Sequence, residues 1–228
     1  MLDTVSITLP SGKTAKVREM TGKDESLLQN KRLMKTGEAI DKILVNCTEE
    51  LDGSPPSEED ILNLEAIDRK ALLVAIRKLS YGSIVDFTVV CPVCSARNLI
   101  KFNLDEDIRI TPPQEGDTVE VILPKTGFVV KLEKFTGKHE ARMVKMRNDE
   151  LYGTPVYLTI VEIDGKPKNK KIFAELPASD LRFLRQKVRE FNGVFDTSGE
   201  ETCFECGGTL KFDALATTNF FFPDIDNQ

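Results

Sequence analysis

Apolar positions change their period several times along the first half of the chain. From Val5 to Leu9 every second residue is apolar, and the alternation returns after a short Pro-Ser-Gly turn, which predicts a β-hairpin. A helix start follows at Thr21, and apolar residues recur at helical spacing as far as Cys47. After a Pro-rich loop, a second helical stripe ends just before Gly82, and two strands joined by a cysteine turn come last. This order of hairpin, helix, loop, helix and hairpin predicts an α+β fold.

The same pattern recurs in the second half. The hairpin that begins at Val5 has a counterpart at Val119, and both are followed by Thr-Gly-Lys. Further pairs of similar residues share one constant offset in sequence: Asp68 and Asp180, Leu72 and Leu184, Ile76 and Val188, Cys91 and Cys203, and Cys94 and Cys206. Blocks aligned in one order favour an internal duplication over a chance likeness between hairpins. The sequence therefore predicts two repeats, 1–112 and 113–228, the second ending in a Phe-rich tail.

Cys-x-x-Cys pairs stand at the tip of the last hairpin in each predicted repeat. Cys91 and Cys94 form one pair, and Cys203 and Cys206 form the other. Four thiolates suit tetrahedral Zn²⁺, and a site with four protein ligands is structural rather than catalytic. The long separation between the pairs fits a split zinc-ribbon-like site to which each repeat gives one half. An iron–sulfur cluster takes the same ligands and stays an alternative, as do redox-active or metal-free thiols.

Other candidates for chemistry have simpler explanations. Cys47 falls on an apolar helix face, which is typical of a core thiol. His139 is the one histidine, which excludes paired-histidine metal motifs, and it stands near a helix start where a cap or solvated position is expected. The Ser-Gly-Lys-Thr sequence at Ser11 lacks the upstream glycine of a phosphate-binding loop, which favours a hairpin turn. Four lysines between Lys166 and Lys171 indicate a solvated loop, with an acidic partner or nucleic acid as the alternative.

Three consecutive phenylalanines, Phe220, Phe221 and Phe222, stand near the C-terminus. They cannot all face inward on one strand, because side chains alternate between the two faces. Packing against the first repeat and docking of a partner are both open interpretations. We predict these three residues as a partner-binding site.

The overall composition limits the class of protein. The chain has 31 Lys and Arg against 37 Asp and Glu, a net charge of −6, whereas nucleic-acid binders usually carry a basic domain. No segment reaches the roughly 18 apolar residues of a membrane span, and the N-terminus has no secretory signal pattern. Neither an open metal position nor an activated nucleophile marks an enzyme with a small-molecule substrate. We expect a non-enzymatic protein of a reducing compartment, without a membrane partner.

Two segments carry a family resemblance: LPSGKTAKVREMTGKDESLL and AIDRKALLVAIRKLSYGSIVDFTVVCPVC. They resemble the baseplate-protein family of contractile-tailed bacteriophages, which includes the baseplate hub subunit and assembly protein of T-even phages. The resemblance spans residues 4–110, with a fainter echo in the second half. Its most telling features are Leu9-Pro10-Ser11-Gly12, the run Asp68…Arg77…Ser80-x-Gly82, and the first cysteine pair.

This resemblance implies a non-enzymatic protein that helps to build the tail hub. It implies a place in the baseplate of the virion tail, in the host cytoplasm during assembly, and other tail and baseplate subunits as partners. The zinc prediction depends on the cysteines of this sequence and not on the family. The alternative function is a zinc-ribbon module that binds nucleic acid or acts in transcription, and salt-dependent binding to nucleic acid would reveal it.

Overall fold

The first hairpin forms where the apolar alternation predicts it. In the computed structural model, which describes residues 2–146 and 148–222, β1 (Thr4–Thr8) pairs antiparallel with β2 (Thr14–Arg18). A third strand, β3 (Thr48–Leu51), pairs with the far edge of β2. The sequence does not predict β3, because its four residues, TEEL, include a single apolar side chain.

The first helical stretch is three helices, and the prediction of one continuous helix to Cys47 is wrong. They are α1 (Gly22–Gln29), α2 (Lys31–Thr36) and α3 (Glu38–Cys47). Asn30 leaves the helical conformation, and its side chain accepts hydrogen bonds from the N–H groups of Arg32 and Leu33, which starts α2. Gly37 has φ 78°, a left-handed conformation that ends α2.

The remaining elements complete a mixed α/β architecture with several small sheets. The first half continues with α4 (Glu58–Asn63), α5 (Ala66–Tyr81), β4 (Ile84–Val90), β5 (Arg97–Asn103) and β6 (Arg109–Thr111). The second half contains β7 (Thr118–Ile122), β8 (Val129–Glu133), α6 (Gly137–Lys145), α7 (Pro155–Thr159), β9 (Ile160–Ile163), β10 (Lys166–Pro167), α8 (Lys170–Ala174), α9 (Ala178–Asn192), β11 (Val194–Asp196), β12 (Ser198–Thr202), β13 (Thr209–Asp213) and two 3-10 turns (Ala214–Ala216 and Thr218–Phe220).

Strand pairing joins neighbours along the chain, with one long-range exception. Among the described residues, β1-β2-β3 and β10-β9-β8-β7 form the larger sheets, and β4-β5 and β12-β13 form isolated hairpins. The exception is β6, which pairs antiparallel with β11 from the other half. This pairing holds the two cysteine hairpins near one another.

Buried apolar side chains form two cores, whose membership does not follow the midpoint of the chain. One core contains the apolar faces of β2, α3, α5 and β4-β5, and it also takes Cys203 and Leu210 from the last hairpin. The other core lies under β7-β8-β9, with Leu184 and Val188 of α9 fully or almost fully buried in it. The last hairpin therefore packs with the first half.

A buried carboxylate fixes the turn of each N-terminal hairpin. Asp68 accepts hydrogen bonds from the Ser11 N–H at 3.0 Å and from the Ser11 hydroxyl at 2.6 Å. Asp180 accepts from the N–H groups of Lys125 at 2.9 Å and Thr126 at 3.0 Å, and from the Thr126 hydroxyl at 2.9 Å. Both aspartates are fully buried. The Ser-Gly-Lys-Thr segment is therefore a hairpin turn held by a helix, as the sequence indicates.

Capping boxes start α1 and α6 after the two Thr-Gly-Lys sequences. In the first, burial raises the pKa of Asp24, but the Arg18 guanidinium, the Thr21 backbone and hydroxyl, and Asn46 outweigh burial and hold that pKa at about 2. In the second, the Nδ1 of His139 accepts from the Thr136 N–H at 3.1 Å. The predicted cap-region histidine is thus a capping residue.

An arginine buried between the halves connects α5 to α6. Arg69 is 5% exposed, and its guanidinium pairs with Asp41 and with Glu140 and donates to the Ile61 carbonyl at 3.1 Å. Its ion-pair partners come from α3 and from α6, one on each side of the junction. Since a buried charge without partners is costly, the pairing fixes how the halves meet.

Candidate metal centre

Each cysteine pair occupies a tight loop at the end of a hairpin. In the first loop, the Cys91 N–H donates to the Ala96 carbonyl at 2.9 Å, and the chain turns at Ser95 with φ 64°. In the second, the Cys203 N–H donates to the Gly208 carbonyl at 2.8 Å, and the chain turns at Gly207 with φ 73°. A left-handed residue after the second cysteine lets the backbone N–H groups face the sulfurs.

The four sulfur atoms converge although the pairs are far apart in sequence. All lie within 4.8 Å of one another, with Cys91 Sγ 3.6 Å from Cys206 Sγ and Cys94 Sγ 3.7 Å from Cys203 Sγ. In a tetrahedral site with Zn–S of about 2.3 Å, the sulfurs are separated by about 3.8 Å. The spacing therefore fits one tetrahedral metal ion.

Gly208 lies close to the opposite loop. A Cβ added at Gly208 would lie 3.2 Å from Val93 Cγ2 and 3.6 Å from Cys91 Sγ, both on the opposite loop. A side chain at position 208 would therefore make a tight contact with Val93, whose exposed side chain would have to shift slightly. The Gly-Gly sequence after Cys206 thus serves both the turn and the contact between the loops.

Backbone N–H groups favour the thiolate form at two of the sulfurs. The N–H of Cys206, then that of Glu205, outweigh burial and lower the pKa of Cys203 to about 6. The N–H groups of Cys94 and Val93 likewise lower the pKa of Cys91.

The other sulfurs oppose full ionisation when no cation is among them. The Ala96 N–H lowers the pKa of Cys94, but the three neighbouring cysteines outweigh it and raise that pKa to about 12. Four thiolates at this spacing therefore require a positive ion, and the donor set is the one that zinc and iron–sulfur centres use.

Asn98 links the two loops, and this role is not predicted from the sequence. This β5 residue is 4% exposed, and its side chain donates to the Ala96 carbonyl at 3.0 Å and to Cys203 Sγ at 3.6 Å. Its Oδ1 accepts from the Phe204 N–H at 3.1 Å. One signal is available in the sequence. Asn98 lies on the same face of β5 as the buried Ile100 and Phe102, where an apolar residue is expected.

The phenylalanine segment divides between core and surface. Phe220 is 0% exposed, and its carbonyl accepts from Arg77 Nε at 2.7 Å, so this residue is not available to a partner in this fold. Phe221 and Phe222 are half-buried against the same core. The residues after Phe222 lie outside the described ranges.

The remaining sequence candidates lie apart from the cysteine cluster. Cys47 is fully buried in the first core, and burial is the main cause that raises its pKa to about 12. In the lysine loop, Lys168 Nζ donates to the Leu158 carbonyl at 2.8 Å, while Lys166, Lys170 and Lys171 are exposed. Within the described residues, no helix is long and apolar enough to cross a membrane.

Fold and site together define a mixed α/β protein with one four-cysteine cluster able to hold a metal ion. A family model described as "T4 bacteriophage base plate protein" matches residues 1–121, more than half of the 228 residues. The chain belongs to this phage baseplate family. Membership implies a structural role in the virion tail beside other tail components. No curated protein and no solved structure matches the chain.

Proposed function

We propose that this chain is a non-enzymatic hub or hub-assembly subunit of the phage tail baseplate that acts by holding neighbouring subunits in place. The family match over residues 1–121 carries this proposal. The buried ion pairs of Arg69 and the four-cysteine cluster support it, since both give a rigid body for neighbours to dock on. Docking through the C-terminal segment would use Phe221 and Phe222, the two rings that keep exposed surface.

We further propose that the two halves are repeats of one unit. The support is a set of equivalent contacts in the two halves, such as those of Asp68 and Asp180 with the hairpin turns. A second pair of equivalent hydrogen bonds uses different side chains in the two halves. The Ser80 hydroxyl accepts from the Met20 N–H, and the Asn192 amide oxygen accepts from the Phe135 N–H. The pairing of β2 with β3 and that of β8 with β9 also carry equivalent register shifts, which skip Glu49 of β3 and Val161 of β9. Chance likeness between hairpins does not account for matched tertiary contacts.

The metal in this proposal is zinc, held by Cys91, Cys94, Cys203 and Cys206 as a structural staple. The geometry favours a closed site, because all four positions of a tetrahedron are taken by protein sulfur. Zinc bound to such sites contributes about 10–16 kcal/mol of apparent binding free energy, comparable with the whole stability of a domain. An ion shared by the two hairpins would add to the β6-β11 pairing that already joins the halves.

Elemental analysis tests the zinc proposal. We expect one zinc per purified chain, no visible absorbance from iron–sulfur, and loss of both metal and thermal stability in Cys94→Ser. Cys47→Ser is the matched control, since it also removes one thiol but should keep the metal. Iron with its visible absorbance, or metal retained in Cys94→Ser, would contradict the proposal.

Composition of purified particles tests the baseplate proposal. Mass spectrometry of isolated tails and of assembly intermediates should detect the chain in hub or baseplate fractions. Phage that lack the chain should accumulate incomplete baseplates in electron micrographs. Normal tails in its absence, or salt-sensitive binding to nucleic acid by the isolated protein, would favour the other class of function.

A further inference from the structure

The two cysteine hairpins have the same length and register, but they differ at one buried position. Asn98 lies opposite Val89 in the pair β4-β5, and Leu210 lies opposite Glu201 in the pair β12-β13. Val89 and Glu201 each stand two residues before the first cysteine of their loop. Asn98 and Leu210 are therefore counterparts. Both are buried, at 4% and 0% exposed, yet one is polar and the other apolar.

The residue after the first cysteine differs between the loops as well. It is Pro92 in the first loop and Phe204 in the second. Pro92 has no backbone N–H, whereas the Phe204 N–H donates to Asn98 Oδ1 of the other hairpin at 3.1 Å. In the counterpart pair of Pro92 and Leu210 there is neither a donor nor an acceptor to satisfy. A polar side chain is thus present where the loop has an N–H, and absent where the loop has none.

The partners of Asn98 require an amide. Its Nδ2 donates to the Ala96 carbonyl at 3.0 Å and to Cys203 Sγ at 3.6 Å. A carbonyl and a thiolate only accept hydrogen bonds, and the Phe204 N–H only donates, so the side chain must supply both functions. Leucine would satisfy none of the three partners, and aspartate would satisfy the Phe204 N–H alone. At 4% exposure, water has little access to replace the lost partner.

The contact with Cys203 bears on metal binding directly. Four thiolates around one divalent ion keep a net negative charge, which a neutral hydrogen-bond donor beside a sulfur stabilises. Cys203 is 2% exposed, so protein groups and not water must supply such donors. The donor at Cys203 comes from the first hairpin, whereas the counterpart position in the second hairpin, Leu210, has no polar group to offer Cys91.

We propose that Asn98 is a positioning residue of the metal centre. It holds the second cysteine loop against the first through the Phe204 N–H, and its Nδ2 moderates the electron donation of the Cys203 sulfur. The metal affinity of the whole cluster therefore depends on a residue that is not a ligand. This role rests on the metal site proposed above and is independent of the baseplate function.

Competition with a coloured zinc chelator tests this role on the full-length, zinc-loaded chain. Asn98→Leu and Asn98→Asp should each weaken zinc binding by about 10–100-fold, the range typical of residues that hydrogen-bond a metal ligand. Asn103→Leu is the matched control, because it makes the same change at the far end of β5. It removes a hydrogen bond from the Asp105 N–H at 3.0 Å, and it should leave zinc affinity unchanged.

Two further readouts distinguish positioning from a general loss of stability. Adding Phe204→Pro to Asn98→Leu should restore part of the zinc affinity, because the double variant has the proline and leucine of the first loop and no unpaired N–H. The Phe204 ring is 70% exposed, so its removal costs little packing. In the cobalt-loaded chain, both Asn98 variants should move the sulfur-to-cobalt charge-transfer band to lower energy, since a thiolate that loses a hydrogen bond is a stronger electron donor. Asn103→Leu should not move it.

The outcomes separate the role of Asn98 from the zinc proposal. Unchanged zinc affinity in Asn98→Leu, an unmoved cobalt band, or equal effects of Asn98→Leu and Asn103→Leu would overturn the role of Asn98 and leave the zinc staple standing. A double variant that binds zinc more weakly than both single variants would also overturn it. Iron in the purified wild-type chain would contradict zinc alone, and a band shift after loading with cobalt would still support Asn98. A wild-type chain that binds neither zinc nor cobalt would overturn both.

Discussion

Two glycines in the same sequence context are predicted to differ in their tolerance of alanine. Gly22 and Gly137 each follow a threonine cap as the first residue of a helix, in α1 and α6. A Cβ at Gly22 would meet nothing within 4 Å. A Cβ at Gly137 would lie 2.8 Å from the Cζ of Arg69. The two alanine variants therefore test the packing at the junction between the halves.

The magnitude follows from how firmly Arg69 is held. Relieving a 2.8 Å contact requires the guanidinium to move by about half an ångström or more, toward the usual contact distance of about 3.5–4.0 Å. The movement strains its pairs with Asp41 and Glu140, and hydrogen bonds to charged groups are worth about 1.5–3 kcal/mol each. Overpacking typically costs about 1–3 kcal/mol, and helix propensity returns at most about 1 kcal/mol. On these magnitudes Gly137→Ala should lower the free energy of unfolding by about 1–3 kcal/mol.

Denaturant unfolding followed by circular dichroism measures the difference. Gly22→Ala, the matched control, should be unchanged or more stable by up to about 1 kcal/mol, since alanine restricts the unfolded chain. Each kcal/mol corresponds to about 2–4 °C in melting temperature for a chain of this size. If Gly137→Ala is as stable as Gly22→Ala, then Arg69 yields freely and the junction is not fixed as described.

Three further predictions concern the core, the first helix cap and the cysteine loops. Phe220→Ala should cost about 3–5 kcal/mol of stability in a thermal melt, and Phe222→Ala clearly less, because only the former ring is fully buried; equal effects would contradict the burial. The pKa of Asp24 in the folded protein is about 2, so its ionised carboxylate stabilises the fold by roughly 2 kcal/mol above pH 4. This stabilisation is lost as the pH falls toward 2, and Asp24→Asn should therefore flatten the acid side of the curve of unfolding free energy against pH. An acid side that is unchanged in the variant would refute the prediction. Ser95→Gly should stabilise the chain by about 1 kcal/mol with metal content unchanged, since Ser95 adopts the left-handed conformation that Gly207 supplies in the other loop; destabilisation would show that the Ser95 side chain matters more than its backbone.

The candidate metal site was largely predictable from the sequence, and its surroundings were not. Two Cys-x-x-Cys pairs at the same offset as the other repeated residues are enough to predict that Cys91 and Cys203 share a site. Asn98 is harder to predict. It is a polar residue on the buried face of its strand, and its partner, the Phe204 N–H, comes from the second cysteine loop. Phe220 is similar, since it packs in the first core and its carbonyl accepts from Arg77, which lies far earlier in the chain.

Local patterns in the sequence determined the hairpins, the long helices, the turn glycines and each Cys-x-x-Cys loop. Alternation, capping residues and the spacing within one cysteine pair all act over a few neighbouring residues. Tertiary structure alone decided two other features. The last hairpin packs into the first core, and Arg69 crosses from one half to the other. Each feature depends on contacts between buried surfaces and charges that are far apart in the sequence. Arg69 and Glu140 are one example, and no local sequence pattern predicts their contact.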